Sequence, residues 1–85
     1  MPPRAPYRTV IHFSLDRPSV ARLTLYDRGG NRVRELAFAH LEQGDHQVVW
    51  DGRDDGGVPV PSGRYSACLV ARGELLFRTI IEKNG

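Results

Sequence analysis

Hydrophobic and polar residues alternate along most of this chain, and a period of two residues is typical of strands with one buried face. The alternation predicts strands over residues 8–15, 20–27, 32–38, 46–50, 65–71 and 75–82. Their inward rows supply the expected core, which includes Phe13, Leu23, Leu25, Val48, Trp50, Tyr65 and Leu69. The pattern therefore indicates an all-β chain.

The third predicted strand breaks the alternation, because Val33 and Leu36 are three residues apart. A strand can place both in the core only if it slips by one residue, so we expect a β-bulge near Arg34 and Glu35. A short helix over residues 33–41 is the competing interpretation, since the same apolar spacing suits a helix. The β-rich context favours the strand.

Residues typical of turns separate the predicted strands. Gly29 and Gly30 tolerate the positive φ that a tight hairpin needs, and Arg72-Gly73-Glu74 is a turn before the last strand. Six to seven short strands at a spacing of roughly ten residues specify a small antiparallel β-sandwich of the immunoglobulin-like kind.

Length and composition fit one domain with a thin core. The chain has 85 residues, 40% of them hydrophobic and 26% charged. We assign residues 1–7, which contain three prolines, to a linker or lead-in, and residues 8–85 to the domain. No apolar run approaches the ~20 residues that span a bilayer. The first residues lack a signal-peptide core, so export is expected to depend on an upstream segment or on the fold.

Charge and cysteine content argue against several functions. The net charge is +2, and the arginines alternate with apolar residues along predicted strands, which favours a solvated outer face over a nucleic-acid site. Cys68 is the only cysteine, so no disulfide forms within the chain, and we expect it to be a small packing residue.

The acidic loop after Trp50 is the one candidate metal site. Asp51, Asp54 and Asp55 could begin a calcium site, but Arg53 occupies a position where a helix-loop-helix calcium loop needs a ligand. Asp residues also bond the backbone of ordinary turns. We therefore expect a structural turn and no cofactor.

Candidate catalytic and sugar-binding residues have a structural interpretation too. His12, His40 and His46 lack the spacing of a metal site and have no neighbouring nucleophile. Trp50 and Tyr65 could stack on a sugar ring, yet both continue inward rows, where a small sandwich needs large side chains. No sequence motif of an enzyme is present, so we expect a non-enzymatic module.

The central stretch resembles the FlgD-type immunoglobulin-like domain. The matching pattern contains Gly44, His46, Val48, Trp50-Asp51-Gly52-Arg53-Asp54, Gly57, Ser62-Gly63, Tyr65, Ala67, Leu69 and Ala71. Upstream, Ile11, Phe13, Ala21, Leu23, Leu25 and Gly30 also match, so the resemblance covers about residues 8–82. The family includes the flagellar hook-capping protein and C-terminal sorting domains of type IX secretion. Many of those sorting domains have an Asn-Pro-rich lead that this chain lacks.

The resemblance implies a non-catalytic module at the extracellular side or surface of a bacterium. It would act by protein contact, as a C-terminal sorting or anchoring domain or as a self-assembling, filament-type subunit. We expect contact through the first and last predicted strands, and the residues that offer themselves are Leu75, Leu76, Phe77, Ile80 and Ile81. The other possibility is that the linker covers this face. The alternative function is a carbohydrate-binding module of a secreted glycoside hydrolase.

Overall fold

Six strands make up the regular secondary structure of residues 7–84. The computed structural model describes residues 7–84. The strands are β1 (Thr9–Leu15), β2 (Ser19–Tyr26), β3 (Arg32–Leu41), β4 (Gly44–Trp50), β5 (Gly63–Ala71) and β6 (Glu74–Lys83). These residues include no helix that is long and apolar enough to cross a membrane.

The strands form two antiparallel sheets. β1 pairs with β4 in a two-stranded sheet, and the other sheet has the order β3-β2-β5-β6. The inward faces of both sheets hold the core, so the predicted all-β antiparallel sandwich is confirmed. β6 and β3 are the edges of the larger sheet among the residues that the structure describes.

The core follows the alternation of the strands. Leu23 and Leu25 of β2, Leu69 of β5 and Trp50 at the end of β4 are the largest completely buried side chains. Inward-facing residues of adjacent strands lie opposite one another, as Leu23 of β2 does with Leu69 of β5, so their side chains pack side by side in the core. Of the other predicted core residues, Phe13 and Tyr65 are buried, while Val48 is half-buried and packs against the cluster.

The third strand is continuous, so the helical interpretation is wrong. β3 extends to Leu41 and shifts register against β2 twice rather than once. One shift skips Leu36 and the other skips Val33, on either side of the expected bulge position. Both skipped residues pack against the core. The two register shifts thus let Val33 and Leu36 both face the core although they are three residues apart.

Two turns depend on particular residues. Between β2 and β3, the Asp27 carboxylate accepts the backbone N–H groups of Gly29 and Asn31, each at 2.9 Å. This closes a loop longer than the tight hairpin expected there. Between β5 and β6, Arg72 and Gly73 have φ values of 53° and 74°. Positive φ at both central residues is what a two-residue type I′ hairpin requires.

The two ends of the described chain meet over Trp50. The Tyr7 ring lies edge-on to the Trp50 ring with centroids 5.7 Å apart, and the Lys83 Nζ atom lies 5.2 Å from the Tyr7 ring. Tyr7 therefore packs with the domain, although we assigned it to the lead-in. The rest of that predicted lead-in, residues 1–6, lies outside the described residues.

Candidate functional site

The acidic loop between β4 and β5 uses its carboxylates to hold its own backbone. Asp54 Oδ1 accepts the N–H groups of Gly56 at 2.9 Å and Val58 at 3.0 Å. Asp51 Oδ1 accepts the Arg53 N–H at 3.1 Å and pairs with Arg34 at 2.8 Å. These are the local bonds that Asp residues make in turns.

Asp55 joins the loop to β3. Its Oδ1 accepts the backbone N–H of Glu35 at 2.9 Å, and its Oδ2 pairs with Arg32 Nε at 3.2 Å. The N–H of Asp55 in turn donates to the Val33 carbonyl oxygen at 3.0 Å. The Glu35 N–H, followed by Arg32, lowers the pKa of Asp55, so the carboxylate is held in its charged form.

The three aspartates do not converge on a common point. Within residues 7–84, no group of three or more His, Cys, Asp or Glu side chains has an arrangement that could hold a metal ion. Each carboxylate already has protein donors, and Arg53 donates across the loop to the Gly57 carbonyl oxygen. The geometry fits a structural turn.

Trp50 and Tyr65 expose no ring face on which a sugar could stack. Trp50 is completely buried, and Tyr65 is 6% exposed. Their rings meet edge to face at 5.2 Å, and the Tyr65 hydroxyl donates to the Pro61 carbonyl oxygen at 2.6 Å. Burial, and secondarily the Asp27 charge, raises the pKa of Tyr65. The carbohydrate-binding alternative depended on an exposed ring at Trp50 or Tyr65, and both rings are buried.

Within the described part of the chain, the histidines and the cysteine belong to no group of three or more side chains that could hold a metal ion. His46 stacks on Phe13 at 5.5 Å and its Nε2 bonds the Glu42 carbonyl oxygen at 2.7 Å. His12 is exposed on β1, and His40 lies 3.6 Å from the Glu42 carboxylate. Cys68 is half-buried on the outer face of the large sheet, opposite Thr24 of β2. No nucleophile and base are brought together among these residues.

The last strand divides the five predicted contact residues between its two faces. Leu75, Leu76 and Ile80 are 59%, 36% and 49% exposed. Ile81 pairs with Tyr65 and is buried, so its side chain packs in the core and not on the exposed face where contact was expected. Phe77 pairs with Leu69 and is half-buried against the core.

Strand pairing reveals an exposed row that the sequence did not show. Phe38 opposes Arg22, Arg22 opposes Val70, and Val70 opposes Leu75, so the row crosses all four strands of the large sheet. The register shift between β5 and β6 leaves Leu76 unpaired next to Leu75, and we call the four paired residues together with Leu76 the outer row. The guanidinium carbon of Arg22 lies 4.4 Å from the centre of the Phe38 ring, and Arg22 also pairs with Glu35 at 3.1 Å.

A groove separates the edges of β1 and β6 that pair with no other strand among residues 7–84. Residues 9–12 line one side, and Phe77 with residues 79–82 line the other, around a volume of about 280 Å³. Edge strands expose backbone groups to which an added strand can bond. The groove thus brings together the two strands that the sequence singled out for contact.

Comparison with known proteins identifies related domains. The FlgD Ig-like domain family model matches residues 8–74. Two curated proteins, each named basal-body rod modification protein FlgD, come from Salmonella typhimurium strain LT2 and Salmonella typhi. Each is 38% identical to this chain over 48 residues, which are 56% of the chain and 21% of the relative. The chain thus spans about a fifth of the length of these relatives.

A solved structure shares the fold. The crystal structure of FlgD from P. aeruginosa superposes with a TM-score of 0.69 and 22% sequence identity. The match covers 87% of this chain and 60% of that one. At this identity the likeness concerns the fold alone.

Proposed function

Because this chain belongs to the FlgD Ig-like domain family, we propose that it is the non-catalytic contact module of a flagellar assembly protein. The Salmonella relatives are named for modification of the basal-body rod, and this favours a flagellar role over the sorting and anchoring role that the wider resemblance implies. A flagellar role would place the module outside the cytoplasm.

The outer row is the observation that carries this proposal. Phe38 and Leu75 are 58% and 59% exposed, at opposite edges of the same sheet, and Val70 and Leu76 add apolar surface beside Leu75. Exposed apolar surface is favourable to cover, at roughly 25 cal/mol per Å² of apolar area removed from water. Arg22 supplies a charge at the centre of the row, and arginine is common in protein interfaces.

The exposed apolar face distinguishes a contact module from a spacer. A spacer has no need of exposed apolar residues on both edge strands, where polar side chains would protect the sheet from association. The groove between β1 and β6 adds two free strand edges next to the same sheet. We therefore assign the partner's position to the outer face of the large sheet.

Site-specific photo-crosslinking tests the proposal. The chain replaces its matching segment in the Salmonella typhimurium relative, and a photoreactive amino acid is placed at position 75 or at position 58. Val58 is the matched control, because it is as exposed as Leu75 but lies in the β4–β5 loop. We expect crosslinks to another flagellar protein from position 75 and none from position 58.

Two results would contradict the proposal. Equal crosslinking from positions 75 and 58 would show that the outer row has no specific partner. Crosslinks from position 75 only to other copies of the chimera would show that the row serves self-assembly, as the filament-type interpretation of the sequence expects.

A further inference from the structure

We propose that a second surface, a concavity on the outer face of the large sheet, binds an acidic, extended segment of the partner protein. The concavity has a volume of about 500 Å³. The lining residues that carry the argument are Tyr26, Arg28, Arg64, Cys68, Arg78 and Ile80. The inference rests on the proposed function, since it assumes that the module acts by protein contact.

Strand register arranges the lining of this concavity in rows. The middle row is Tyr26 of β2, Ser66 of β5 and Ile80 of β6. Arg78 belongs to the row on one side and Arg64 to the row on the other. Rows on one face are two residues apart along a strand, so the two arginine rows are about 13 Å apart.

The cations of the concavity outnumber its anions. Arg28, Arg64 and Arg78 line it together with one carboxylate, Asp27, which already accepts the N–H groups of its own turn. Glu82, which is outside the lining, pairs with Arg64 at 3.0 Å. Between residues 7 and 84, Arg28 and Arg78 have no carboxylate within 4 Å, so an incoming anion could pair with them without breaking an existing ion pair.

Arg78 is held in place before any ligand binds. One of its guanidinium nitrogens donates to Ser66 Oγ at 3.3 Å. The other donors of the guanidinium group remain available, and a guanidinium binds a carboxylate through two parallel hydrogen bonds. The chemistry of this row therefore suits an aspartate or glutamate side chain.

The middle row has Ser66 at its centre and apolar surface at its β6 end. Ile80 is half-exposed at that end, while Tyr26 at the β2 end and Cys68 in the neighbouring row are half-buried. A small inorganic anion would leave this apolar surface in water. An apolar side chain between two acidic ones would cover it, and this favours a polypeptide over a free anion.

These spacings define the segment. Alternate side chains of an extended peptide lie on one face about 6.8 Å apart. Acidic residues at positions i and i+4 would therefore reach the two arginine rows, while an apolar residue at position i+2 would lie over Ile80. The expected pattern is acidic, any, apolar, any, acidic.

A labelled peptide tests the inference on the 85-residue chain. The probe is a fluorescent Thr-Glu-Thr-Val-Thr-Glu-Thr peptide, and its anisotropy is followed as the chain is added. We expect saturable binding that weakens as salt is raised, since the ion pairs are at the surface. Arg78→Gln should weaken binding about fivefold or more. Arg64 has to exchange Glu82 for the second peptide carboxylate, so Arg64→Gln should weaken binding by a smaller factor.

Two controls separate the site from general charge effects. Arg17→Gln removes the same charge in the β1–β2 turn, at the opposite end of the sandwich, and should leave binding unchanged. A peptide with Gln in place of both Glu residues should not bind. The circular dichroism of each variant verifies that the fold is intact.

Several results would overturn the inference. They are an absence of saturable binding at millimolar peptide, equal binding of the Gln peptide, and equal effects of Arg17→Gln and Arg78→Gln. Displacement of the probe by inorganic phosphate or a short oligonucleotide at the concentration of unlabelled peptide would indicate a general anion site instead. The crosslinking experiment at position 75 does not depend on this peptide, so its outcome tests the proposed function independently of this inference.

Discussion

The Trp50 indole N–H donates a hydrogen bond to the Arg53 carbonyl oxygen at 3.0 Å. This bond fixes the start of the β4–β5 loop to the centre of the core. Arg34 donates to the same carbonyl oxygen at 3.2 Å, so β3 is tied to that point as well. The acidic, aromatic stretch that looks like a binding site in the sequence is thus a structural joint between the two sheets.

Replacing Trp50 tests this joint. Trp50→Phe removes the hydrogen bond and part of a completely buried ring, so we expect a loss of about 1–3 kcal/mol in the free energy of unfolding. Urea unfolding followed by circular dichroism measures it. Val49→Ala, at a half-exposed neighbour, is the control and should change stability by no more than about 0.5 kcal/mol. Equal effects of the two substitutions would mean that the indole is not central to the fold.

Two glycines of the same loop separate backbone strain from crowding. Gly52 and Gly57 have φ values of 78° and 81°, so alanine is strained at either position, by about 1–2 kcal/mol. Only at Gly52 would the new Cβ collide, lying 2.7 Å from Lys83 Cε and 2.9 Å from Tyr7 Cδ1. We expect Gly52→Ala to cost about 1–3 kcal/mol more than Gly57→Ala in thermal or urea unfolding. Similar losses would indicate that the packing of Tyr7 and Lys83 is loose.

Asp55 makes stability depend on acid pH. Its pKa is lowered below the ordinary value of 3.8 by the Glu35 N–H and then by Arg32. The carboxylate therefore stabilises the fold above pH 3.8, and this contribution disappears as pH falls through the lower folded-state pKa. Asp55→Asn should be less stable than the parent chain at pH 6, and the difference should close in strong acid. A difference that is constant with pH, measured by urea unfolding, would contradict this.

Calcium should not stabilise the chain. The three loop carboxylates bond to backbone N–H groups and arginines, so calcium would have to replace these partners without a converging ligand set. We expect the same melting temperature in millimolar calcium chloride and in EDTA. A rise of several degrees in calcium that Asp54→Asn abolishes would restore the metal interpretation of this loop.

The alternation along the sequence was enough to predict most of the fold. Inward rows such as Ala21, Leu23 and Leu25 of β2 are buried as expected, because a strand with one apolar face has one favourable orientation. β6 is apolar on both faces, so its sequence could not distinguish Ile80 from Ile81. Its pairing with β5 decides, since Ile81 lies opposite the inward Tyr65.

The surface sites depend on register between distant strands, which the sequence does not encode locally. Phe38 and Leu75 belong to one row only because β2 and β5 lie between β3 and β6. Similarly, Arg64 and Arg78 line one concavity because Ser66 pairs with Ile80. Neither set shows a spacing that could be recognised along the chain.

Flagellar assembly in cells tests the contact role most directly. The chimeric Salmonella protein that contains this chain is compared with versions that carry Leu75→Ser with Leu76→Ser, or Val58→Ser as the matched exposed control. Electron microscopy counts the assembled flagella, and immunoblotting verifies equal amounts of each protein. We predict assembly with the parent chimera and with Val58→Ser, and loss of assembly with the double substitution in the outer row. Undiminished assembly with the double substitution would contradict the proposal that the module acts through this face.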